Sequence, residues 1–192
     1  MVTPLHAYLA LVAALAAQRA VELALSERNA RGLRALGGIE AGRGHYPAMV
    51  TLHAAFLVAC AAAAIAARRP PPAILAAAAL VMLGVAQAIR WWAIASLGAR
   101  WTTRVIAIPG AAPVVAGPYR FIRHPNYLAV ALEIAAVPLV YGAWRTALLF
   151  SATNAVILAL RIRAEEHALG VAWASAFRDT PRLFPGRRGH VA

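Results

Sequence analysis

Two short stretches of the chain gather side chains able to bind or react. The first is Gly117-Pro118-Tyr119-Arg120-Phe121-Ile122-Arg123-His124-Pro125-Asn126-Tyr127. Pro125 opens an apolar run and suits the first turn of a helix, where its missing N–H would be unpaired anyway. His124 then falls at or beside the N-cap, where free backbone N–H groups and the positive end of the helix dipole favour an anion. Arg120 and Arg123 add positive charge. A basic loop meeting lipid headgroups has the same composition, so spacing alone leaves both readings open. The second stretch is Arg161-Ile162-Arg163-Ala164-Glu165-Glu166-His167. On a helix Arg161 and Glu165 share a face, and so do Arg163 and His167. Adjacent carboxylates point to different sides, so at least one of Glu165 and Glu166 can turn inward to hold an ammonium group or ribose hydroxyls. A surface ion pair four residues apart is the plainer alternative.

A third set lies inside apolar blocks: Arg19, Glu22, His53, Arg90, Glu133 and Asn154. Polar groups are costly in lipid and mark either a site or an interior pair. Arg19 and Glu22 are three apart and can neutralise each other. Tyr46, Met49 and His53 share a helix face and could line a cavity, although a histidine satisfied by one hydrogen bond packs equally well there. Glu133, near the middle of a short helix, is harder to ascribe to packing. Aromatic residues collect around the same loop: Trp91, Trp92, Trp101, Tyr119, Phe121 and Tyr127. They fit an interfacial aromatic belt or a pocket for a cationic or flat ligand.

The elements that must position these groups are membrane helices. Of 192 residues, 62% are apolar and only 14% charged, against roughly 25% charged in soluble domains. Mean hydropathy is +0.66. Five apolar blocks can be drawn: Leu5–Leu25, Tyr46–Ala67, Ala73–Leu97, Tyr127–Tyr141 and Trp144–Leu160. A spanning helix needs about 20 residues. The first three qualify, and the last two are short and joined at Gly142. The expected fold is therefore all-α and polytopic, with about five transmembrane helices, the last two a short helical hairpin. Residues 1–97 would supply three spans, and residues 98–192 the loop, hairpin and tail that carry the chemistry. The long connection from Gly98 to His124 holds Pro109, Gly110, Pro113, Gly117 and Pro118, residues that break helices and build structured turns.

The net charge of +12 comes entirely from arginine, with no lysine. No soluble element is long enough to present a nucleic-acid-binding face, so nucleic acid is not an expected partner. Fourteen of the nineteen basic residues fall in three segments on one side of a five-span protein, against Arg68, Arg69 and Arg145 on the other. The positive-inside rule then puts the N-terminus outside and the C-terminus in the cytoplasm. Cys60 is the single cysteine. It can form no internal disulfide, belongs to no metal-ligating cluster, and suits packing, so no metal is expected. Leu5–Leu25 lacks a basic n-region and contains Gln18, Arg19 and Glu22, which makes it a retained span rather than a signal peptide.

Taken together and in order, GPYRFIRHPNYLAVALE, a hydrophobic hairpin and RIRAEEHAL resemble the isoprenylcysteine carboxyl methyltransferase family, integral membrane enzymes that use S-adenosylmethionine. The resemblance is strongest from about Leu97 to Pro185. RNARGLRALGGIEAGRGHYPAMVTLHAAF and LGARWTTRVIAIPG further resemble bacterial members encoded beside type III polyketide synthases, which methylate alkylpyrone or alkylresorcinol hydroxyls. The resemblance implies cofactor-pocket roles for His124 and Tyr127, and for Gly117 and Tyr119 on the glycine-led approach to them. It implies that Glu165 and Glu166 lie near the cofactor's amino and ribose groups, and that Arg123 lies near its carboxylate or the acceptor oxygen. Which glutamate turns inward stays open. A carboxylate acceptor needs no base, whereas a phenol or enol must lose its proton, which makes Glu133 and His53 candidate bases.

The resulting expectation is methyl transfer to an oxygen of a lipophilic small-molecule or prenylated acceptor, in a bacterial cytoplasmic membrane and among membrane lipids, with oligomeric state open. Three alternatives compete: an NADPH-dependent membrane reductase of the steroid-reductase type, a phospholipid N-methyltransferase, and a small membrane scaffold or transporter subunit.

Overall fold

The computed structural model describes residues 3–67 and 70–184. Arg68 and Arg69, and the tail arginines Arg187 and Arg188, lie outside the described residues.

The first helix, α1, runs Pro4–Ala35. Thr3 caps it by accepting from the His6 backbone N–H, and Pro4 sits in its first turn, where a missing N–H costs nothing. It passes the expected end at Leu25 by ten residues, because no proline lies between Ser26 and Ala35 and a single interior glycine, Gly32, is tolerated in a helix. It closes at Gly37, whose φ is 80°. There the Gly38 N–H bonds to the Leu33 carbonyl at 2.9 Å and the Gly37 N–H to Arg34 at 3.0 Å, a Schellman closure that needs a left-handed residue. Strand β1, Ile39–Ala41, pairs antiparallel with β2, Val105–Ala107, with Glu40 opposite Ile106. This ribbon is the one departure from all-α structure among the described residues, and it ties the first loop to the third.

Helix α2 is Tyr46–Ala66 and α3 is Ala73–Leu97, both matching their apolar blocks to within a residue. Pro70, Pro71 and Pro72 keep the two apart. Helix α4 is Pro125–Leu139, with Pro125 in its first turn as expected. Helix α5 is Trp144–Ala176, 33 residues long, with a non-helical break at Gly170. The fifth block is thus no short partner in a hairpin. Its helix carries on through Arg161–His167 into the tail, because that charged run consists of helix formers.

Four helical segments are long and apolar enough to cross a membrane: Pro4–Ala35, Arg43–Ala66, Ala73–Arg100 and Trp144–Ala176. Helix α4, at 15 residues, falls short of the roughly 20 that a full crossing takes. It is instead the buried centre of the bundle, flanked by α3 and α5 and touched by α2. Small residues permit this close approach: Ala79, Ala86 and Ala93 on α3 and Ala129 and Ala136 on α4 are all buried. Around them Tyr8, Phe56, Leu83, Ile134 and Val137 form the main core, and Cys60 lies fully buried within it. The Tyr8 hydroxyl donates to the Val137 carbonyl at 3.1 Å, tying α1 to the end of α4.

Candidate active site

The polar ends of α1, α3, α4 and α5 meet the ribbon and the 98–124 loop at one end of the bundle. Asn29 Nδ2 donates to the Trp101 carbonyl at 2.8 Å, and Ser26 Oγ lies 3.0 and 2.8 Å from the hydroxyls of Thr102 and Thr103. Glu40 on β1 accepts from Arg34 and Arg104 at 2.9 and 2.8 Å. Burial alone would raise its pKa, but the hydrogen bonds from Arg34 and Arg104 and their charges hold it below the usual carboxylate range. These bonds fix the loop on which Tyr119, Arg123 and His124 ride.

Gly117 is needed for that placement, though not as expected. Its φ is +57°, and an added Cβ would stand 2.0 Å from Ser96 Oγ and 3.0 Å from Trp92 Nε1. The close approach is therefore to the end of α3. Gly117 lines neither cavity described below. Gly117→Ala combines a clash with a disfavoured dihedral. It is expected to destabilise the protein by about 1–3 kcal/mol, read as a lowered melting temperature in detergent, with the added change Ser96→Gly recovering only the steric part.

Two cavities converge on this end. One, of about 340 Å³, reaches into the membrane-embedded part of the bundle past His53, Arg19, Glu22 and Arg90. The other, of about 520 Å³, lies under the 105–114 loop and against α5 at His167, Ala172 and Trp173. They share a wall of Leu97, Thr102, Arg104, Tyr119, Arg123 and Glu165. His124 and Tyr127 line the membrane cavity only.

The question of the paired glutamates has a geometric answer. Glu165 faces both cavities and accepts a short hydrogen bond from the Tyr127 hydroxyl. Glu166 lines neither. It accepts from Arg182 at 2.6 and 3.0 Å and lies 3.2 Å from His124 Nε2. Its partners belong to a strap formed by the tail: the Arg123 and His124 N–H groups bond to the Pro181 and Arg182 carbonyls at 2.8 and 3.0 Å. The Arg123 side chain is drawn the same way, donating to the Thr180 carbonyl and, at 3.4 Å, to that of Arg178. The buried His124 ring stacks on Tyr127, with centroids 5.4 Å apart, and lies 5.6 Å from Trp173. Burial, reinforced by the charge of Glu165, holds the Tyr119 hydroxyl well above its ordinary pKa, so it stays a hydrogen-bond donor at neutral pH.

His53 hydrogen-bonds through Nδ1 to the Met49 carbonyl at 2.8 Å. A carbonyl only accepts, so Nδ1 carries the proton and a neutral ring presents Nε2 as a lone pair. Met49 and His53 both line the membrane cavity, as their shared face suggested. Glu133 does not. Its Oε2 accepts from Gln87 at 2.8 Å, Arg90 at 3.1 Å and Arg19 at 3.2 Å. These three donors converge on one carboxylate oxygen, and the side chain does not line the cavity, so the geometry gives Glu133 a part in the charged network rather than a place against an acceptor. Glu22 completes the network, at 2.6 Å from Arg19 and 3.4 Å from Arg90. Two arginines offset two glutamates, and the buried set is neutral.

Sequence spacing left other wall residues unassigned. Arg161 is buried, lines the membrane cavity, donates to the Thr103 carbonyl at 2.7 Å and stands 5.8 Å from the Tyr127 ring centroid. Its place four residues before Glu165 was the available signal. Asn126 contributes a buried Oδ1 with no partner among the described residues. For Trp173, six residues beyond the charged run, no sequence signal existed.

The bundle of long apolar helices thus holds two cavities with a common wall that carries one carboxylate, two guanidinium groups and a phenol. The isoprenylcysteine carboxyl methyltransferase family model matches residues 78–171, a span that includes both charged clusters. The chain is also 43% identical over 159 residues to the uncharacterized protein YpbQ of Bacillus subtilis, covering 83% of this chain and 94% of that protein. An uncharacterized protein of Haemophilus influenzae is 29% identical over 158 residues, covering 82% of this chain and 91% of that one. The chain belongs to the isoprenylcysteine carboxyl methyltransferase family and is a membrane methyltransferase. Methyltransferases of this family generally use S-adenosylmethionine.

Proposed function

We propose that the protein transfers a methyl group from S-adenosylmethionine to an oxygen of a lipophilic acceptor at the wall shared by the two cavities. The observation that carries this reading is the single set of residues, Tyr119, Arg123 and Glu165, facing both spaces. A soluble donor can reach them from the loop side and an apolar acceptor from the bilayer. Both volumes are those of small-molecule pockets. Bound donor supplies an electrophilic methyl on a sulfonium. The residues present suit such a group: the Glu165 carboxylate for its ammonium or ribose hydroxyls, and Tyr119 and Trp173, which line the cavity under the loop, as aromatic surface for its flat base. Glu166 acts at one remove, by strapping the tail onto His124, while Arg123 both lines the shared wall and holds the tail through the Thr180 carbonyl.

We place a side opening of the membrane cavity between α1 and α2. Ala16, Ala20 and Leu23 on α1 and Val50 and Ala54 on α2 line it and are also exposed on the outside of the bundle. An acceptor can therefore enter from hydrocarbon without crossing water. The new oxygen–carbon bond forms as the sulfur–carbon bond breaks, and the sulfur keeps the electron pair. Charge cancels along the way, so an apolar setting favours the step provided the reactants are aligned. A carboxylate acceptor loses no proton. A phenol or enol does, and His53 Nε2 is the base we assign. His53→Gln is expected to lower turnover of a phenolic acceptor about 100-fold while changing that of a carboxylate acceptor less than threefold, measured with labelled donor. Equal losses on both would remove the base assignment.

We also propose a cytoplasmic membrane location with the loop end facing the cytoplasm, on the arginine asymmetry. Donor binding tests the cofactor reading. Purified protein should bind labelled S-adenosylmethionine, with displacement by S-adenosylhomocysteine and none by NADPH. Displacement by NADPH would favour the reductase instead.

A further inference from the structure

The charged network beneath the membrane cavity has more donors than its own acceptors use. A guanidinium offers five N–H groups, and Arg19 and Arg90 converge on the same oxygen atoms, Oε2 of Glu22 and Oε2 of Glu133. Gln18 and Gln87 add further donors to those two carboxylates. The Nε atoms of both arginines are buried with no partner among the described residues. Neutralising one buried charge requires a single counter-charge. The charges here balance two against two, so what the set has in excess is N–H donors rather than charge. The surplus is not sealed off. Arg19 keeps 15% of its side chain exposed where Glu22, Arg90 and Glu133 keep only 3–4%, and it lines the cavity between Ala16 and Ala20.

We infer that Arg19, backed by Arg90, is an acceptor-recognition site that donates to a second oxygen on the acceptor head group, apart from the oxygen that is methylated. This rests on the oxygen-methylating reading above and narrows it. On α4 Tyr127, which bonds to Glu165, and Glu133, which holds Arg19 and Arg90, lie one on either side of the cavity-lining Val130, so the shared wall and the network stand roughly 9 Å apart along the helix. An acceptor with one oxygen satisfies one of the two and leaves the other dry. An acceptor carrying oxygen on two edges of its head satisfies both, and its tail leaves between α1 and α2.

The test compares two acceptors that differ only in the second oxygen, a 3-alkylphenol and the 1,3-diol bearing the same alkyl chain at its 5-position. Wild type is expected to prefer the diol about ten- to hundredfold in kcat/KM, the usual range for a hydrogen bond to a charged donor. The double variant R19Q/E22Q keeps the network neutral through Arg90 and Glu133, and in it that ratio is expected to fall to within about threefold of one. A wild-type ratio near one overturns the inference without any variant. So does a ratio that persists in R19Q/E22Q, including the case in which both acceptors slow in parallel. Methyl transfer to neither compound by wild type, with donor still bound, would overturn the phenol and enol reading itself along with this inference.

Discussion

Replacing Glu165 by Gln is expected to reduce methyl transfer about 100-fold or more, the equivalent of roughly 3 kcal/mol at the transition state. Among the described residues the side chain is the one carboxylate that faces both cavities, and it is tied to the Tyr127 hydroxyl. In the proposed arrangement the amide removes the charge offered to the donor's cationic groups, and it weakens the bond to Tyr127 with little change in shape. The loss should fall on donor affinity as well as turnover, and equilibrium binding of labelled donor reads it directly. The neighbouring change Glu166→Gln should behave differently. Glu166 faces no cavity and holds Arg182 and His124, so its loss should free the strap and make the chain near Arg182 more sensitive to limited proteolysis. Donor affinity should change much less than in Glu165→Gln. Equal effects of the two variants on donor binding would refute the division of roles.

The second large effect concerns stability. Glu133→Ala leaves Arg19 and Arg90 with Glu22 alone, an uncompensated positive charge at membrane depth. Breaking a buried pair from one side typically costs about 3–5 kcal/mol, so a large fall in melting temperature in detergent is expected. The balanced pair Arg90→Met with Glu133→Leu removes one charge of each sign and leaves the 2.6 Å contact between Arg19 and Glu22. It should recover most of the lost stability. If Glu133→Ala melts with the wild type, the network contributes nothing to the fold.

These expectations also mark where sequence was informative. Helices α2 and α3 were legible almost to the residue because three prolines separate them and because their apolar runs stop where the helices stop. Pro125 and the glycine at position 142 bracketed α4 for similar local reasons. Hydropathy failed at the ends of α1 and α5. Both helices leave the apolar zone and continue as polar helix, held by partners distant in sequence: Ser26 and Asn29 on the 101–103 loop, and Arg161 on Thr103. A window that scores greasiness stops at the membrane boundary, whereas the backbone does not.

At the site, the two charged clusters were visible as clusters, and the resemblance of their motifs gave the family that the comparisons bear out. Their internal division was not visible. Glu165 and Glu166 are adjacent and chemically identical, and only the positions of Tyr127 and Arg182 tell them apart. Glu133 looked like a base because its partners Gln87 and Arg90 sit on another helix, 46 and 43 residues away. Arg19 with Glu22 read as a closed pair for the same reason. Gly117 carried a real signal of close approach, but the sequence did not say what was approached.

The most direct measurement is methyl transfer from labelled S-adenosylmethionine by the purified protein in lipid nanodiscs, offered a prenylcysteine, an alkylresorcinol, an alkylpyrone and a phosphatidylethanolamine in parallel. The two-cavity account predicts label on an oxygen of at least one of the first three and none on the phospholipid amine. Label on the amine, or no transfer and no donor binding at all, would contradict it.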